Sequence, residues 1–224
     1  HIHLFSVHSF TNAVKGQSKM KSKVTKIFII LCSILISGCW DERILEDLAL
    51  ITVITVDYDK QHNILLAASY PEFSEGAKEP ESLLAIKGNS TRNAFKKLNR
   101  LTDKLIVPGQ IQAVLIGEEF ANKGISDILD TLQRDVEISS TLIICITEGR
   151  ANDFLTTAFE DKPIDGFYIS RLVKKQERIN ELPATSLSEF QNDYYSKRND
   201  PILPYLRLKD KEITAAETAV FIDD

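Results

Sequence analysis

The chain has 224 residues, enough for one large domain or two small ones, and its 43% hydrophobic and 26% charged residues are ordinary for a globular protein. Residues 1–38 carry five lysines and no acid, so the remainder holds 22 basic against 32 acidic side chains, a net charge near −10. Such an acidic body repels phosphate backbones, and nucleic acid is therefore excluded as an expected partner.

Cysteine and histidine are too scarce for most metal, disulfide or nucleophilic chemistry. Cys32, Cys39 and Cys145 form no CxxC pair, and His62 is the sole histidine after residue 38. We therefore expect neither a zinc site, nor a disulfide framework, nor a Ser/His/Asp triad. The nine glycines form no GxGxxG or GxxxxGK loop. These counts exclude much catalytic chemistry, although an extracytoplasmic hydrolase stays open as a further alternative, and neither a cofactor nor a bound metal is expected.

The first forty residues have the pattern of an export signal. Met20 is the single methionine, and we interpret residues 1–19 as upstream translation or a wrongly placed start, with a disordered extension as the alternative. Residues 20–38 combine a lysine-rich start with an apolar run at 27–36. A membrane-spanning helix needs about 20 apolar residues, so this shorter run predicts a signal peptide.

The signal segment ends in Ile36-Ser37-Gly38-Cys39, which resembles the lipobox of bacterial lipoproteins. Two small residues let the backbone lie in a peptidase groove, and the cysteine thiol takes a diacylglyceryl group before cleavage. Isoleucine in place of leucine at position 36 departs from the usual box, and a free cysteine that ends an apolar run is the alternative. Each buried methylene contributes about 0.8 kcal/mol, so two or three acyl chains on Cys39 would hold the protein firmly at a membrane.

Strands are predicted first in the mature part of the chain. Residues 48–56 are rich in β-formers, a polar turn follows at 59–63, and residues 64–70 return as the second strand of a hairpin. Residues 73–82 are predicted to be a loop and residues 83–86 a third strand.

Helices and strands then alternate as far as residue 162. Helical spacing predicts one helix at 93–101 and another at 125–136, each with apolar residues on one face. The predicted buried positions are Ala94, Phe95, Leu98 and Leu101 in the first helix, and Ile125, Ile128, Leu129, Leu132 and Val136 in the second. Strands at 113–116 and 141–147 and a helix around 154–159 complete residues 39–162, which we assign to an α+β domain with a mixed sheet flanked by helices.

The pattern changes after residue 162. A charged amphipathic helix is predicted at 168–180, and Ser186 with Glu189 forms a capping box that opens another helix. Strands are predicted at 202–208 and 214–222. We assign residues 163–208 to a smaller helix-and-strand segment that completes the N-terminal region, and residues 209–224 to the stub of a truncated following domain.

The polar residues of this part have mostly structural interpretations. Two carboxylate pairs, Asp57 with Asp59 and Glu118 with Glu119, follow strand ends and are expected to be solvated turn residues. His62 is expected to be solvated in the hairpin turn.

Three further groups of residues also have structural interpretations. Cys145 lies inside an apolar strand and is expected to be a small core residue. The basic stripe of Lys96, Lys97 and Arg100 predicts a wet helix face, with contact to anionic lipid headgroups as the alternative. Tyr194 and Tyr195 are expected to pack rather than to stack on a ligand.

The residues after the lipobox carry a family resemblance. Cys39-Trp40-Asp41-Glu42-Arg43, followed by Leu45 and Asp47-Leu48-Ala49, resembles the mature start of Ger(x)C-type spore germination lipoproteins. Residues 90–94, 113–121 and 216–221 are also similar, although Ala216 and Glu217 depart from the glycine expected there. The resemblance covers residues 39–222, and members of the family continue into a further C-terminal domain.

The resemblance implies a lipid-anchored, non-catalytic C subunit of a nutrient-germinant receptor. It implies lipid on Cys39, a membrane-proximal motif at Trp40 and Asp41, and a location on the outer face of the spore inner membrane. Indole rings favour the membrane–water interface, which suits Trp40. The implied partners are two integral-membrane receptor subunits of the A and B types. A solute-binding lipoprotein of a membrane transporter is the alternative function.

Overall fold

Nine strands and six helices are present in the computed structural model, which describes residues 45–73, 81–157, 165–183, 185–196 and 199–222. The strands are β1 (Leu48–Ala49), β2 (Val53–Tyr58), β3 (Ile64–Pro71), β4 (Glu81–Gly88), β5 (Leu105–Ile106), β6 (Ala113–Gly117), β7 (Ile143–Thr147), β8 (Ile202–Lys209) and β9 (Glu212–Val220). The helices are α1 (Thr91–Leu98), α2 (Glu118–Asn122), α3 (Ser126–Gln133), α4 (Ala151–Thr156), α5 (Gly166–Arg178) and α6 (Leu187–Ser196).

Seven of these strands form one mixed sheet in the order β4-β3-β2-β6-β7-β8-β9. The four central strands β2, β6, β7 and β8 are parallel, and antiparallel pairing adds β3 and β4 at one edge and β9 at the other. The short strands β1 and β5 pair with each other in a separate parallel ladder. The described residues from 45 onward cluster as one compact unit.

Both faces of the sheet are covered, which explains the unbroken apolar runs of its central strands. In β7, Ile144 and Ile146 pack into a core that contains buried residues of α1, α2, α3 and α6. Ile143 and Cys145 point to the other face and pack with α4 and α5. The mixed sheet flanked by helices confirms the predicted α+β class.

Several helices begin where the sequence supplies a capping side chain. Ser90 accepts a hydrogen bond from the backbone N of Asn93 at 3.1 Å, and Asp165 caps α5 through the backbone N of Tyr168. The predicted capping box before α6 is confirmed, because the Glu189 carboxylate accepts from the Ser186 N at 2.9 Å while Ser186 Oγ accepts from the Glu189 N at 3.3 Å. Each such cap stabilises a helix by about 1 kcal/mol.

Residues 48–56 do not form the single strand that the sequence predicts. Residues 48 and 49 pair with β5, residues 50–52 carry no strand pairing, and β2 begins only at Val53. β-propensity is uniform along this run, so the sequence contains no sign that the backbone passes from one ladder to another.

Two apolar residues that helical spacing placed in the core face solvent instead. The helix α1 ends at Leu98 and α3 ends at Gln133, three residues before the predicted end of each helix. Leu101 is therefore 45% exposed and Val136 is 97% exposed. A side chain follows the helical face only while the backbone is helical, and here the helices had already ended.

The remaining boundaries differ by a few residues. The strand β4 begins at Glu81, inside the predicted loop 73–82, and residues 74–80 lie outside the described residues, as does Phe159. The strand β9 runs from residue 212 to residue 220 and pairs with β8. The assignment of residues 1–19, 20–38, 163–208 and 209–224 to separate segments stays a prediction. Within the described ranges, no helix combines the length and the apolar character needed to cross a bilayer.

Candidate functional site

The three residues with a predicted membrane role, Cys39, Trp40 and Asp41, lie outside the described residues. The described chain begins at Leu45 in a short 3-10 turn and continues directly into β1. Because β1 pairs with β5, this start is fixed beside the segment that leads into the parallel sheet at β6. The sheet has two chemically different ends, and the chain enters at the amino-terminal end of the parallel strands.

A groove of about 270 Å³ opens at this amino-terminal end. Residues that precede three of the parallel strands line it: Ile51 before β2, Ile111 before β6, and Ile138 before β7. Phe95 of α1, Ile106 of β5 and Val136 complete apolar walls. We name this site the amino-end groove.

Three cationic side chains also line the amino-end groove. Arg92 and Lys96 come from α1, and Arg134 follows the end of α3. The Arg134 Nε is held by Asp130 at 2.8 Å, in an ion pair one helical turn apart. Among the described residues, Arg92 and Lys96 have neither a hydrogen-bonding nor an ion-pairing partner. One acid, Asp135, lies in the lining.

Arg92 does not help the helix that carries it. It lies in the first turn of α1, which contains no acid, and the N-terminal end of a helix has a partial positive charge. A cation in that position is not stabilised by the helix dipole, and the Asp127 carboxylate already accepts from the neighbouring Thr91 N at 2.8 Å. An unpaired arginine in an unfavourable helical position, beside an unpaired lysine, is an arrangement suited to binding an anion.

The carboxyl-terminal end of the sheet is organised around one buried carboxylate. Asp57 of β2 is 3% exposed, its Oδ1 accepts from the backbone N of Ala151, and its Oδ2 accepts from the backbone N of Asn152, each at 2.8 Å. The side chain therefore caps α4 from a strand far away in sequence. Burial raises the pKa of the Asp57 carboxyl, and the two backbone hydrogen bonds partly oppose this effect.

Gly117 leaves the space that this carboxylate occupies. A Cβ at position 117 would lie 2.0 Å from Asp57 Oδ1 and 3.3 Å from the backbone N of Ala151. The end of β6, the end of β2 and the start of α4 therefore meet with no room for a side chain at residue 117. The prediction that Asp57 is a solvated turn residue is wrong, because α4 packs over the end of β2.

Lys123 and Arg207 at the carboxyl-terminal end are each paired with acids. The Lys123 ammonium lies 3.0 Å from Glu119 Oε1 and 4.4 Å from the ring centre of Tyr58. Arg207 contacts Glu217 at 2.7 Å and Glu148 at 3.5 Å. These ion pairs are solvent-exposed, so each contributes little to stability.

A second cavity, of about 590 Å³, lies at this end beside β9. Its lining includes Glu118, Tyr205, Arg207 and Glu217. Burial raises the pKa of Tyr205, and the negative charges of Glu118 and Glu148 raise it further. Because the arginine here is already paired with acids, this cavity offers a bound anion less than the amino-end groove does.

The other polar residues singled out in the sequence have structural positions. His62 is exposed in the hairpin turn, with a φ of 59°, and the Glu118–Glu119 pair is exposed at the start of α2, so these predictions are confirmed. Cys145 is fully buried, and burial raises its pKa above the ordinary range, which confirms its core position. The described ranges contain no group of three or more His, Cys, Asp and Glu side chains that could hold a metal.

The predicted basic stripe is divided by the structure. Lys96 lines the amino-end groove, whereas the Lys97 ammonium donates to the backbone O of Lys87 at 3.0 Å and Arg100 lies exposed beyond the end of α1. Sequence reasoning missed Arg92 and Arg134, which join Lys96 only through the packing of α1 and α3. The available signal was the arginine in an acid-free first helical turn.

The predicted tyrosine packing holds for one residue of the pair. Tyr194 is half-buried, and its ring stacks on Phe190 with ring centres 5.7 Å apart. Tyr195 contacts Tyr194 edge-on but is 54% exposed.

Comparison with known proteins places the chain in a family. Residues 41–208, about three quarters of the chain, match the family described as "Spore germination protein N-terminal domain". The chain belongs to this family, which confirms the resemblance seen in the sequence. The relatives described next are named for spore germination and not for an enzymatic reaction.

Several relatives are similar over most of this chain. Spore germination protein GerQC of Bacillus cereus is 20% identical over 195 residues, which cover 87% of this chain and 54% of that protein. The putative spore germination protein YfkR of Bacillus subtilis (strain 168) is 24% identical over 199 residues, covering 84% and 50%. Spore germination protein KC of Bacillus subtilis (strain 168) is 29% identical over 126 residues, covering 51% and 31%. The chain spans about half the length of the first two relatives.

A solved structure of the GerBC protein also matches. It is 13% identical, with a TM-score of 0.37, and the match covers 75% of this chain and 47% of that one. A likeness this distant carries no argument, and the fold class rests on the strand pairing described above.

Proposed function

We propose that the chain is the lipid-anchored, non-catalytic C subunit of a spore nutrient-germinant receptor. The observation that carries the proposal is the join at Cys39. A lysine-rich start and an apolar run lead into Ile36-Ser37-Gly38-Cys39, and the family match begins two residues later at Asp41. The family supplies the role in germination, and the cysteine supplies the attachment to a membrane.

The proposed location is the outer face of the spore inner membrane, with two integral-membrane subunits of the A and B types as partners. The relatives of this chain are named for spore germination and not for an enzymatic reaction, which supports a non-catalytic role. A solute-binding lipoprotein needs two lobes around a cleft. The described residues instead form one unit around a single large sheet, so no observation favours that alternative.

The test replaces the thiol of Cys39 in the full chain in its sporulating host. Cys39→Ala removes the acylation site, so we expect the protein to leave the membrane fraction and nutrient-triggered germination to be lost. Membrane fractionation and the fall in optical density after nutrient addition measure the two effects.

The matched control is Cys32→Ser, which changes the other cysteine of the export segment and should leave both measurements unchanged. Normal germination and membrane retention in the Cys39→Ala spores would contradict the proposal. Mass spectrometry of peptides from the folded domain in the membrane and soluble fractions separates loss of the attachment from loss of the protein.

A further inference from the structure

We infer that the amino-end groove docks onto anionic phospholipid headgroups of the membrane to which the chain is tethered. This inference rests on the proposed membrane attachment and goes beyond it. It states which face of the domain lies against the bilayer, and which lipid charge that face requires.

The charge distribution of the chain favours docking through the amino-end groove. After Cys39 the chain carries 22 basic against 32 acidic side chains, so an anionic surface repels most of it. In the amino-end groove, Arg92 and Lys96 project without a partner among the described residues. Cations near an anionic membrane surface make the free energy of membrane binding more favourable. This attraction acts within about one Debye length, roughly 10 Å.

Exposed aliphatic side chains form an apolar rim beside these cations. Val136 lines the groove and is 97% exposed, and Leu101 and Leu105 are 45% and 51% exposed in the segment between α1 and the groove wall at Ile106. Leu45 is 47% exposed at the start of the described chain. Basic side chains mixed with exposed aliphatic ones suit a lipid interface, where ammonium and guanidinium groups meet phosphates and the aliphatic groups enter the acyl boundary.

Only a short length of chain separates the proposed anchor at Cys39 from this face. Cys39 precedes Leu45 by six residues, and an extended chain spans at most about 3.6 Å per residue. The strand pairing fixes Leu48 beside Leu105, so the chain enters the fold next to the exposed leucine of the rim. A short tether at this point favours contact through the amino-terminal end of the sheet over contact through the opposite end.

The test places a reporter on each end of the sheet in the full, membrane-isolated chain reconstituted into vesicles. Val136→Cys marks the groove and Gln61→Cys marks the exposed hairpin turn at the carboxyl-terminal end, both in a Cys32→Ser background and both labelled with a thiol-reactive fluorophore. Cys145 is fully buried and should not react. Quenching by lipids that carry a doxyl group reports contact with the bilayer.

We expect quenching at residue 136 to exceed that at residue 61 by about threefold or more in phosphatidylglycerol vesicles, and to fall in high salt. In vesicles of neutral phosphatidylcholine the difference should shrink. The double variant Arg92→Gln with Lys96→Gln should remove most of the added quenching. The matched control, Arg171→Gln with Lys174→Gln, removes the same charges from exposed positions of α5 on the other face of the sheet. This control variant should keep the added quenching.

Equal quenching at residues 136 and 61 would overturn the inference. So would equal quenching in phosphatidylglycerol and phosphatidylcholine vesicles, or an equal loss of quenching in the two double variants. Free inorganic phosphate added as a competitor should leave the quenching at residue 136 unchanged, because the proposed occupant is the headgroup surface. A fluorophore attached to an unmodified Cys39 would add the same quenching signal to both cysteine variants. The mass of the peptide that carries residue 39 would identify it. Failure of the anchor is therefore distinguishable from failure of the docking face.

Discussion

The two ends of the parallel sheet are built on opposite principles, although the same four strands supply both. At the carboxyl-terminal end, Asp57 is enclosed by α4, and Lys123 and Arg207 are paired with acids. At the amino-terminal end, Arg92 and Lys96 have no partner within the described residues, and Val136 of the same groove reaches solvent. Lys123 and Arg207 are engaged with acids, whereas Arg92 and Lys96 are not.

This difference reverses the usual arrangement of open α/β sheets, in which ligands bind outside the carboxyl ends of the strands. Here the corresponding position is occupied by a strand-to-helix cap, in which the Asp57 carboxylate takes the place that an anionic ligand would have at a helix N-terminus. Arg92 and Lys96 lie at the opposite end of the sheet, near which the described chain begins.

The largest expected effect is the loss of the close contact at Gly117. In Gly117→Ala the new Cβ would lie 2.0 Å from Asp57 Oδ1, so the carboxylate must leave its hydrogen bonds or α4 must shift. We expect the free energy of unfolding to fall by about 3 kcal/mol, measured by urea denaturation followed by circular dichroism.

Gly109→Ala is the matched control at the amino-terminal end, where the nearest atom would lie 3.3 Å away, and it should cost less than about 1 kcal/mol. Equal losses in the two variants would show that the two ends are packed alike.

The second effect depends on pH. In Asp57→Asn the amide can accept from one of the two backbone N–H groups of α4 and leaves the other without a partner, which costs about 1–2 kcal/mol. Burial raises the pKa of Asp57 above its ordinary value of 3.8, so between that value and the raised one the folded chain binds more protons than the unfolded chain. The stability that Asp57 contributes therefore decreases as pH rises through this window.

The loss caused by Asp57→Asn should accordingly be greater near about pH 4 than near about pH 7, as measured by urea unfolding at both. The exposed Glu119→Gln serves as control and should change stability by less than about 1 kcal/mol. A loss that instead grows toward neutral pH would mean that the charged carboxylate, rather than the protonated form, is the better fit in the folded chain.

The smallest expected effect is on the stability of the groove variant. Arg92→Gln with Lys96→Gln removes two cations that have no described partner, one of them from an unfavourable first helical turn. The free energy of unfolding should change by less than about 0.5 kcal/mol in the same urea titration.

A loss above roughly 1 kcal/mol would mean that these side chains support the fold, and the contrast between the two ends would then disappear. Arg171→Gln with Lys174→Gln provides the reference for a plain surface charge change.

Local features of the fold could be predicted because their causes are local. The apolar run that contains Cys145 predicted a strand covered on both faces, and the Ser186–Glu189 box predicted the start of α6. The positions of Leu101 and Val136 could not be predicted in this way, because helical spacing continues in the sequence past the point where the backbone stops being helical.

The candidate groove was only partly visible in the sequence. Lys96 belonged to a basic stripe, but Lys97 and Arg100 beside it do not line the groove, whereas Arg92 and Arg134 do. Which cations converge depends on how α1 packs against α3. That contact includes the hydrogen bonds of Thr91 to Asp127, which a pattern within one helix does not contain.

The sequence by itself determined the class of the fold, the family resemblance and the expectation of a lipid anchor at Cys39, because each depends on neighbouring residues or on a short motif. Only the tertiary structure decided that Asp57 caps a helix that begins 94 residues later and that two cations of α1 remain unpaired. The physical reason is that burial and pairing depend on which segments meet in space. Hydrophobic periodicity records that a residue has a covered side, and not what covers it.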